Sequence, residues 1–220
     1  MAAVLLARRK KNSGWLVICE NVRQQEEIAG EVEAWGERCL VVPEAFRGSE
    51  KVRPDPDLEA EWIGSLAALL GADRPRIVLV TETVLTEELP KKEWIQTCLR
   101  RIAVGDRLDP LRLVEELVEA GYRTVGTVSE RGEVARRGGI VDVFSRQAGV
   151  PVRLEWGGDR LESVREIDLH EQTGVAEIEE TTLFLGRLEA GGNGSRLSDY
   201  LGKGWGRPSA LSHGEELRLS

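Results

Sequence analysis

The chain has 220 residues, 41% of them hydrophobic and 5% aromatic, which is enough for one or two hydrophobic cores and too little for a large multidomain machine. It carries 38 acidic and 30 basic side chains, and the net charge of -8 argues against a protein that coats nucleic-acid backbones regardless of their sequence. The three cysteines are widely spaced and form no C-x-x-C pair, which argues against a disulfide scaffold or a thiolate metal site.

The first 88 residues alternate between strand and helix patterns. A helix is predicted between Asn21, a good N-cap, and Gly36, a good C-terminal stop, and its apolar stripe is Ile28, Val32 and Trp35. A second helix is predicted over 58–70 with a stripe that begins at Leu58. Continuous apolar runs predict buried strands at 15–19, 39–42 and 76–81. This alternation predicts a small three-layer α/β lobe with a parallel sheet over residues 1–88.

The pattern changes from residue 89 onwards. Asp109 followed by Pro110 predicts a helix start, and Gly121 predicts its end. The predicted apolar stripe of this helix is Leu111, Val114, Leu117 and Val118. Short alternating segments punctuated by glycine pairs then predict strands at 124–128, 133–137, 140–144, 150–156, 163–168 and 180–185. Residues 89–187 are therefore predicted to form an antiparallel α+β domain.

The last 35 residues contain eight glycines, which is typical of a linker. A short helical turn is predicted at 197–201. We interpret 188–220 as a glycine-rich tail or as the start of a returning part of the first lobe.

Known nucleotide-binding patterns are absent from the first lobe. A phosphate site after the first strand needs a glycine-rich turn, whereas the chain has Glu20 and Asn21 there, and Asn21 would cap the helix itself. The segment 202–204 reads Gly-Lys-Gly but lacks the distal glycine and the hydroxyl residue of a P-loop. We expect no ATP hydrolysis and no cofactor.

Metal and nucleophile patterns are also absent. The two histidines, His170 and His213, lie far apart without ligand spacing, and we expect both on the surface. No serine lies in a G-x-S-x-G elbow. No apolar run approaches the roughly 18 residues of a membrane span, and the N-terminus has the wrong charge order for a signal peptide. The sequence predicts a cytoplasmic protein without catalytic or metal-binding residues.

Residues 122–168 carry the most informative pattern. The stretch from Arg123 to Arg165 holds eight arginines, six acids and no lysine, a local balance of +2 in an otherwise acidic chain. Guanidinium groups bind carboxylates through paired hydrogen bonds that lysine cannot make, so this stretch is a candidate site for an acidic partner surface. On one extended strand, Arg131, Glu133, Ala135 and Arg137 would share a face. The alternative is that these arginines only pair with neighbouring acids on a solvated sheet face.

This block resembles the UvrB interaction domain, which is shared by the excision-repair helicase UvrB and the bacterial transcription-repair coupling factor (Mfd). The resemblance covers about residues 89–187, and the lead-in at 104–122 and the weaker pattern of 13–88 are similar to the coupling factor's N-terminal UvrB-like region. The matching segments are 121–123, 130–133, 137–144, 151–155, 158–159, 162–165, 167–168 and 172–173.

The resemblance implies a non-catalytic adaptor that docks onto UvrA through arginines of a β-hairpin. By position it implies UvrA contacts at Arg123, Arg131 and Arg137, with Phe144 as apolar support beside the contact face. It also implies an indirect link to RNA polymerase and damaged DNA through the complete coupling factor. The pattern departs from the family at Trp156-Gly157, where paired phenylalanines are usual, and at Ser145, where proline is usual.

Three other functions stay open at this point. The chain is similar enough to UvrB to be a fragment of an ATP-dependent DNA translocase or helicase with residual DNA binding. The arginine block is also compatible with direct DNA binding, which would weaken steeply with salt. The third possibility is that the chain is a structural relic that binds no partner.

Overall fold

The computed structural model describes residues 14–44, 56–71, 75–169, 174–187, 193–201 and 205–206. These residues form two units. The first contains the described residues of 14–44, 61–92 and 193–206, and the second contains those of 56–60 and 93–187.

Secondary-structure elements alternate through the described residues in the following chain order. They are β1 (Gly14–Cys19), α1 (Val22–Ala34), β2 (Cys39–Val41), α2 (Pro56–Leu70), β3 (Ile77–Thr81), α3 (Glu82–Thr86), β4 (Leu89–Pro90), α4 (Lys92–Cys98), β5 (Leu99–Ala103), α5 (Pro110–Glu119), β6 (Arg123–Thr124), β7 (Glu133–Arg137), β8 (Ile140–Phe144), β9 (Val152–Gly157), β10 (Arg160–Ile167), β11 (Gly174–Ile178), β12 (Glu180–Phe184), β13 (Asn193–Ser195), α6 (Leu197–Leu201) and β14 (Trp205–Gly206).

The first unit is built on a parallel sheet with the strand order β14-β1-β3-β2. Its core packs Val17 and Leu79 of the sheet against Ile28 and Val32 of α1. The predicted parallel α/β arrangement is confirmed for β1, β2 and β3 by their pairing. The continuous apolar runs of β1 and β3 suit these largely buried strands, whereas the edge strand β2 is only partly buried. In the same unit, β4 pairs antiparallel with β13.

Helix α1 begins and ends close to the predicted residues. The Asn21 side chain accepts a hydrogen bond from the Gln24 N–H at 2.9 Å, and Gly36 has the positive φ of 73° that suits glycine after a helix. The predicted stripe is wrong at Trp35, which is 65% exposed. Trp35 is the C-cap and lies outside the regular helix, so helical spacing no longer fixes its direction. In α2 the predicted stripe residue Leu58 is likewise exposed.

The second unit is dominated by a six-stranded sheet with the order β11-β10-β9-β8-β7-β6. All neighbouring strands in it are antiparallel except β6 and β7, which are parallel. A separate antiparallel pair joins β5 to β12. The hairpin between β7 and β8 turns at Gly138, whose φ is 62°, and pairs Arg137 with Ile140, as the glycine pair predicted.

Helix α5 packs on one face of this sheet. Asp109 caps its first turn, and the bonds Gly121 N–H to Val118 O and Tyr122 N–H to Leu117 O close its last turn around a positive-φ glycine. The buried sheet residues are Val134, Val141, Val143, Val152, Leu154, Leu161 and Val164, and the helix contributes Leu113, Leu117 and Ala120.

The predicted stripe of α5 is therefore partly wrong. Leu117 is buried and Val114 partly buried, but Leu111 and Val118 are 48% and 42% exposed, and Leu113 is buried instead. The predicted strand at 124–128 is also shorter than expected, since β6 ends at Thr124, and β11 was not predicted. The α/β class, with a small parallel sheet and antiparallel sheets, is confirmed.

Some sequence features lie outside the described residues, namely His170, His213 and the segment 202–204. Within the described ranges, no helix has both the length and the apolar character needed to cross a bilayer.

Candidate functional site

The six-stranded sheet has one apolar face and one charged face. Residues alternate between the faces along each strand, and the strand register places side chains of one face in rows. We call the face opposite α5 the charged face. Its described members are Arg123, Glu133, Ala135, Arg137, Ile140, Asp142, Phe144, Arg153, Glu155, Ser163, Arg165 and Glu177.

Arg137 lies at the hairpin end of β7 and is exposed. Its Nη2 donates to the Gly126 carbonyl at 2.6 Å and to the Thr127 hydroxyl at 2.8 Å. Both acceptors are uncharged, and in the described part of the chain no carboxylate lies within ion-pair distance of this guanidinium. The side chain is thus oriented by this protein, while no carboxylate of the described residues compensates its positive charge.

Arg123 on β6 has a different environment. Its Nη2 lies 2.6 Å from a carboxylate oxygen of Glu130 and 2.9 Å from one of Glu133. The Arg123 side chain is 61% exposed, so it faces solvent although it is already paired with two acids of its own chain. This matches the alternative that an arginine of this block pairs internally.

Arg131 does not share the strand with Arg137, because β7 begins only at Glu133. Its guanidinium lies over the Phe144 ring, 5.4 Å from the centroid, donates from Nε to the Ala148 carbonyl, and pairs with Asp57. Phe144 is buried and packs with Val128 and Ala135 in a small cluster on the charged face. Arg131 is therefore half-buried and engaged on three sides, and Phe144 lies beneath it.

Two further arginines of the charged face are paired across strands. Arg153 holds Asp142 through two hydrogen bonds of 2.7 and 2.8 Å, and Asp142 is only 4% exposed. The hydrogen bond to Asp142 raises the pKa of Arg153, so the Arg153 guanidinium stays charged at neutral pH. Arg165 pairs with Glu177 on β11 at 2.8 Å. The middle of the charged face is thus neutralised internally, unlike its Arg137 end.

Glu133 is a buried acid on this face that charge counting did not single out. Burial alone would raise its pKa, but hydrogen bonds from the Ser129 and Glu130 N–H groups and the Ser129 hydroxyl, together with the charge of Arg123, lower it. The local signal was the Ser129-Glu130-x-x-Glu133 spacing, which lets a carboxylate accept the N–H groups of a preceding turn.

The described residues of the first unit form no comparable site. Where a phosphate loop would follow β1, the Asn21 side chain caps α1 and the Gln24 side chain accepts the Glu20 N–H at 2.8 Å. The buried Gln25 amide donates to the Leu79 and Val42 carbonyls at 2.8 and 3.2 Å. In the ranges that the structure describes, no three His, Cys, Asp or Glu side chains are grouped to hold a metal ion.

Comparisons with known proteins agree with the resemblance seen in the sequence. Residues 101–186 match the family model of the UvrB interaction domain. The chain is 34% identical over 160 residues to a transcription-repair-coupling factor of Myxococcus xanthus, which covers 69% of this chain and 13% of that protein. A coupling factor of Haemophilus influenzae is 37% identical over 133 residues, or 60% of this chain and 11% of its own length. A coupling factor of Bacillus subtilis is 27% identical over 170 residues, which covers 76% of this chain and 14% of that protein. The chain therefore spans about an eighth of the length of these relatives.

Proposed function

We propose that this chain, which carries a UvrB interaction domain at residues 101–186 and is similar to transcription-repair-coupling factors, is a non-catalytic adaptor that binds UvrA in transcription-coupled excision repair. The adaptor role is that of one region of a longer protein. Any link to RNA polymerase or damaged DNA belongs to the complete coupling factor and is part of this proposal.

The observation that carries the proposal is the state of Arg137. A guanidinium held in place by neutral acceptors loses little conformational freedom on binding, and its charge is available for a carboxylate of the partner. Arg123 is the second contact in this proposal, because its exposed side chain needs only to exchange Glu130 for an acid of UvrA. Arg131 and Phe144 support the surface from beneath.

The expected energetic weight of Arg137 follows from its surroundings. Truncating one partner of a charge pair that loses water at an interface costs about 2 to 5 kcal/mol, of which the lower end suits an arginine that is exposed before binding. A tenfold change in dissociation constant corresponds to about 1.4 kcal/mol. Arg137→Ala should therefore weaken UvrA binding at least tenfold.

Arg136 provides a matched control. It is the neighbouring residue on β7, is exposed, and alternates to the opposite side of the strand from Arg137. Arg136→Ala and Arg137→Ala remove the same charge, so long-range attraction to an acidic partner falls equally in both variants. Only the contact made from the charged face differs between them.

The experiment is a calorimetric titration of the full chain with UvrA encoded by the same genome. We expect the dissociation constant to rise at least tenfold for Arg137→Ala and less than threefold for Arg136→Ala, with unchanged circular dichroism for both. Equal effects of the two substitutions would remove Arg137 from the contact. The absence of binding by the wild-type chain would overturn the UvrA assignment.

Direct DNA binding is the function that this titration must separate from docking. A parallel titration with duplex DNA at 50 and 200 mM salt would show an affinity that falls steeply with salt if the arginines bind phosphates. We expect no measurable DNA binding at the higher salt concentration, since most arginines of the charged face are already paired with acids.

A further inference from the structure

Glu133 is the most heavily used acceptor on the charged face. One carboxylate oxygen, Oε2, accepts hydrogen bonds from the Ser129 N–H at 2.8 Å, the Glu130 N–H at 2.9 Å and the Ser129 hydroxyl at 3.2 Å. The other oxygen, Oε1, accepts from Arg123 Nη2 at 2.9 Å. The side chain is 4% exposed, so these partners replace most of its water.

These bonds hold one end of a surface loop, which we define as residues 125–131. Arg137 holds the other part of the loop through the Gly126 carbonyl and the Thr127 hydroxyl. Glu133 and Arg137 are four residues apart on β7, so their side chains lie on the same face of the sheet. Two side chains of β7 thus hold the loop, in addition to the Val125 N–H bond to the Val134 carbonyl at 3.0 Å and the contacts of Arg131. One of these two side chains is the residue proposed to contact the partner.

The arrangement has a consequence for Arg137. Its guanidinium is oriented by acceptors that belong to the loop, and the loop keeps its position through Glu133. Without the carboxylate, the Ser129 and Glu130 N–H groups lose their acceptor, and this end of the loop loses its hydrogen bonds to the Glu133 side chain. Arg137 would then have to be ordered at the moment of binding, which costs affinity.

Arg123 takes part in the same arrangement. Its guanidinium bridges the buried Glu133 and the exposed Glu130, so it closes the loop against β6 as well as facing solvent. Part of any loss of UvrA affinity on truncating Arg123 therefore comes from the loss of its contacts that hold the loop.

We propose that Glu133 is a positioning residue of the docking surface, which acts by fixing the loop 125–131 on which the orientation of Arg137 depends. The binding experiment for this proposal rests on the proposed function, whereas the structural experiment needs only the free chain. A purely electrostatic role predicts the opposite sign, because removing an acid beside the arginines makes the surface more attractive to an acidic partner.

The test compares Glu133→Met with Glu130→Met. Both variants remove one carboxylate that bonds Arg123 and keep the length of the side chain, but only Glu133 accepts the N–H groups of the loop. In the free chain, NMR hydrogen exchange of the amides at positions 129 and 130 should accelerate at least tenfold in Glu133→Met and less than threefold in Glu130→Met. Unchanged exchange in Glu133→Met would overturn the proposal whatever UvrA does.

The binding arm uses the calorimetric titration with UvrA. Glu133→Met should weaken binding at least fivefold, whereas Glu130→Met should leave it unchanged or strengthen it. In the Glu133→Met background, adding Arg137→Ala should cost less than threefold instead of at least tenfold, a coupling that a general loss of stability would not produce. Stronger binding by Glu133→Met, or additive effects of the two substitutions, would overturn the positioning role.

A second variant covers the case in which Glu133→Met does not fold. Glu133→Asp keeps the charge and withdraws the carboxylate by one methylene, and it should give the same loss of amide protection and of affinity. Wild-type chain that shows protected loop amides but no binding to UvrA would overturn the proposed function alone.

Discussion

Replacing Tyr122 by phenylalanine removes a hydroxyl that joins three parts of the second unit. The Tyr122 hydroxyl donates to the Phe184 carbonyl at 2.9 Å, lies 3.0 Å from the Ser145 hydroxyl and accepts the Arg146 N–H at 3.3 Å. Tyr122 itself is 4% exposed. Burial raises the pKa of its phenol, so the group stays protonated and remains a donor across the physiological range.

The expected loss follows from the partners that are left behind. A buried polar group without its hydrogen-bond partner costs about 1 to 3 kcal/mol. In Tyr122→Phe the Phe184 carbonyl loses its hydroxyl donor and the Arg146 N–H loses its acceptor, whereas Ser145 keeps its bonds to the Phe184 N–H and to Gln147. We therefore expect a loss of about 2 kcal/mol in the free energy of unfolding.

Tyr200, the other tyrosine of the chain, is the natural control. Its hydroxyl donates to the Pro90 carbonyl at 2.8 Å in the first unit, and it is 1% exposed. Tyr200→Phe should cost about 1 kcal/mol, the usual net worth of one hydrogen bond.

Urea unfolding followed by tryptophan fluorescence measures both losses. Trp94 lies edge-on to Phe184 with ring centroids 5.9 Å apart, so one reporter is close to the altered hydroxyl. With a slope of about 2 kcal/mol per molar urea, Tyr122→Phe should lower the midpoint by about 1 M at an unchanged slope. A loss below about 0.5 kcal/mol would refute the reasoning that the hydroxyl network supports this unit.

Two other predictions concern the cysteines and nucleotides. Burial raises the pKa of the Cys19 thiol to about 11. Burial also raises the pKa of the Cys39 and Cys98 thiols, and the charge of Glu33 adds to the effect at Cys39. Since the thiolate is the reactive form, alkylation of the native chain at pH 8 should be slow and should become faster as the pH rises. Cys39, the least buried of the three, should react first. Fast reaction of Cys19 would contradict its burial. Mg-ATP should not shift the midpoint of thermal unfolding, because Asn21, Gln24 and Gln25 fill the region after β1 with their own hydrogen bonds. A rise of the midpoint that depends on the concentration of Mg-ATP would show that a nucleotide binds.

The hairpin of β7 and β8 could be predicted because its signals are local. Alternating residues on both sides of Gly138-Gly139 fix the faces, and a two-residue turn fixes the register of Arg137 against Ile140. The two caps, Asn21 and Asp109, are equally local, since each bonds an N–H group within three residues.

The stripe of α5 could not be chosen from spacing alone. Its sequence contains two apolar stripes, Leu111 with Val114 and Val118, and Leu113 with Leu117 and Ala120. Both fit the helical period, and only the sheet that packs against the helix decides that Leu113 is buried while Leu111 is exposed.

Pairings between distant segments were also beyond local patterns. β5 bonds to β12 about 80 residues later, and its sequence, with two arginines and one buried isoleucine, gives no clear alternation. β11 is exposed along most of its length, so it lacks the apolar positions by which strands are recognised.

The sequence proposes the residues of the candidate site, which stay a prediction, and does not tell which groups contact each of their side chains. The family resemblance pointed to Arg123, Arg131 and Arg137, but charge counting treats all three alike. Their difference lies in partners brought from elsewhere in the chain, two acids at Arg123, an aromatic ring at Arg131 and neutral loop atoms at Arg137. Ion pairing of this kind depends on tertiary geometry, which composition does not encode.

The parallel sheet of the first unit joins segments from both ends of the described chain. β14 pairs with β1 at the edge of this sheet across about 190 residues, and outside the sheet β4 pairs with β13 across about 100. During synthesis on the ribosome, residues 93–187 emerge complete before β13 and β14 exist. The second unit is therefore free to fold before the first sheet can gain its edge strand β14, and completion of the first sheet should be the slower event.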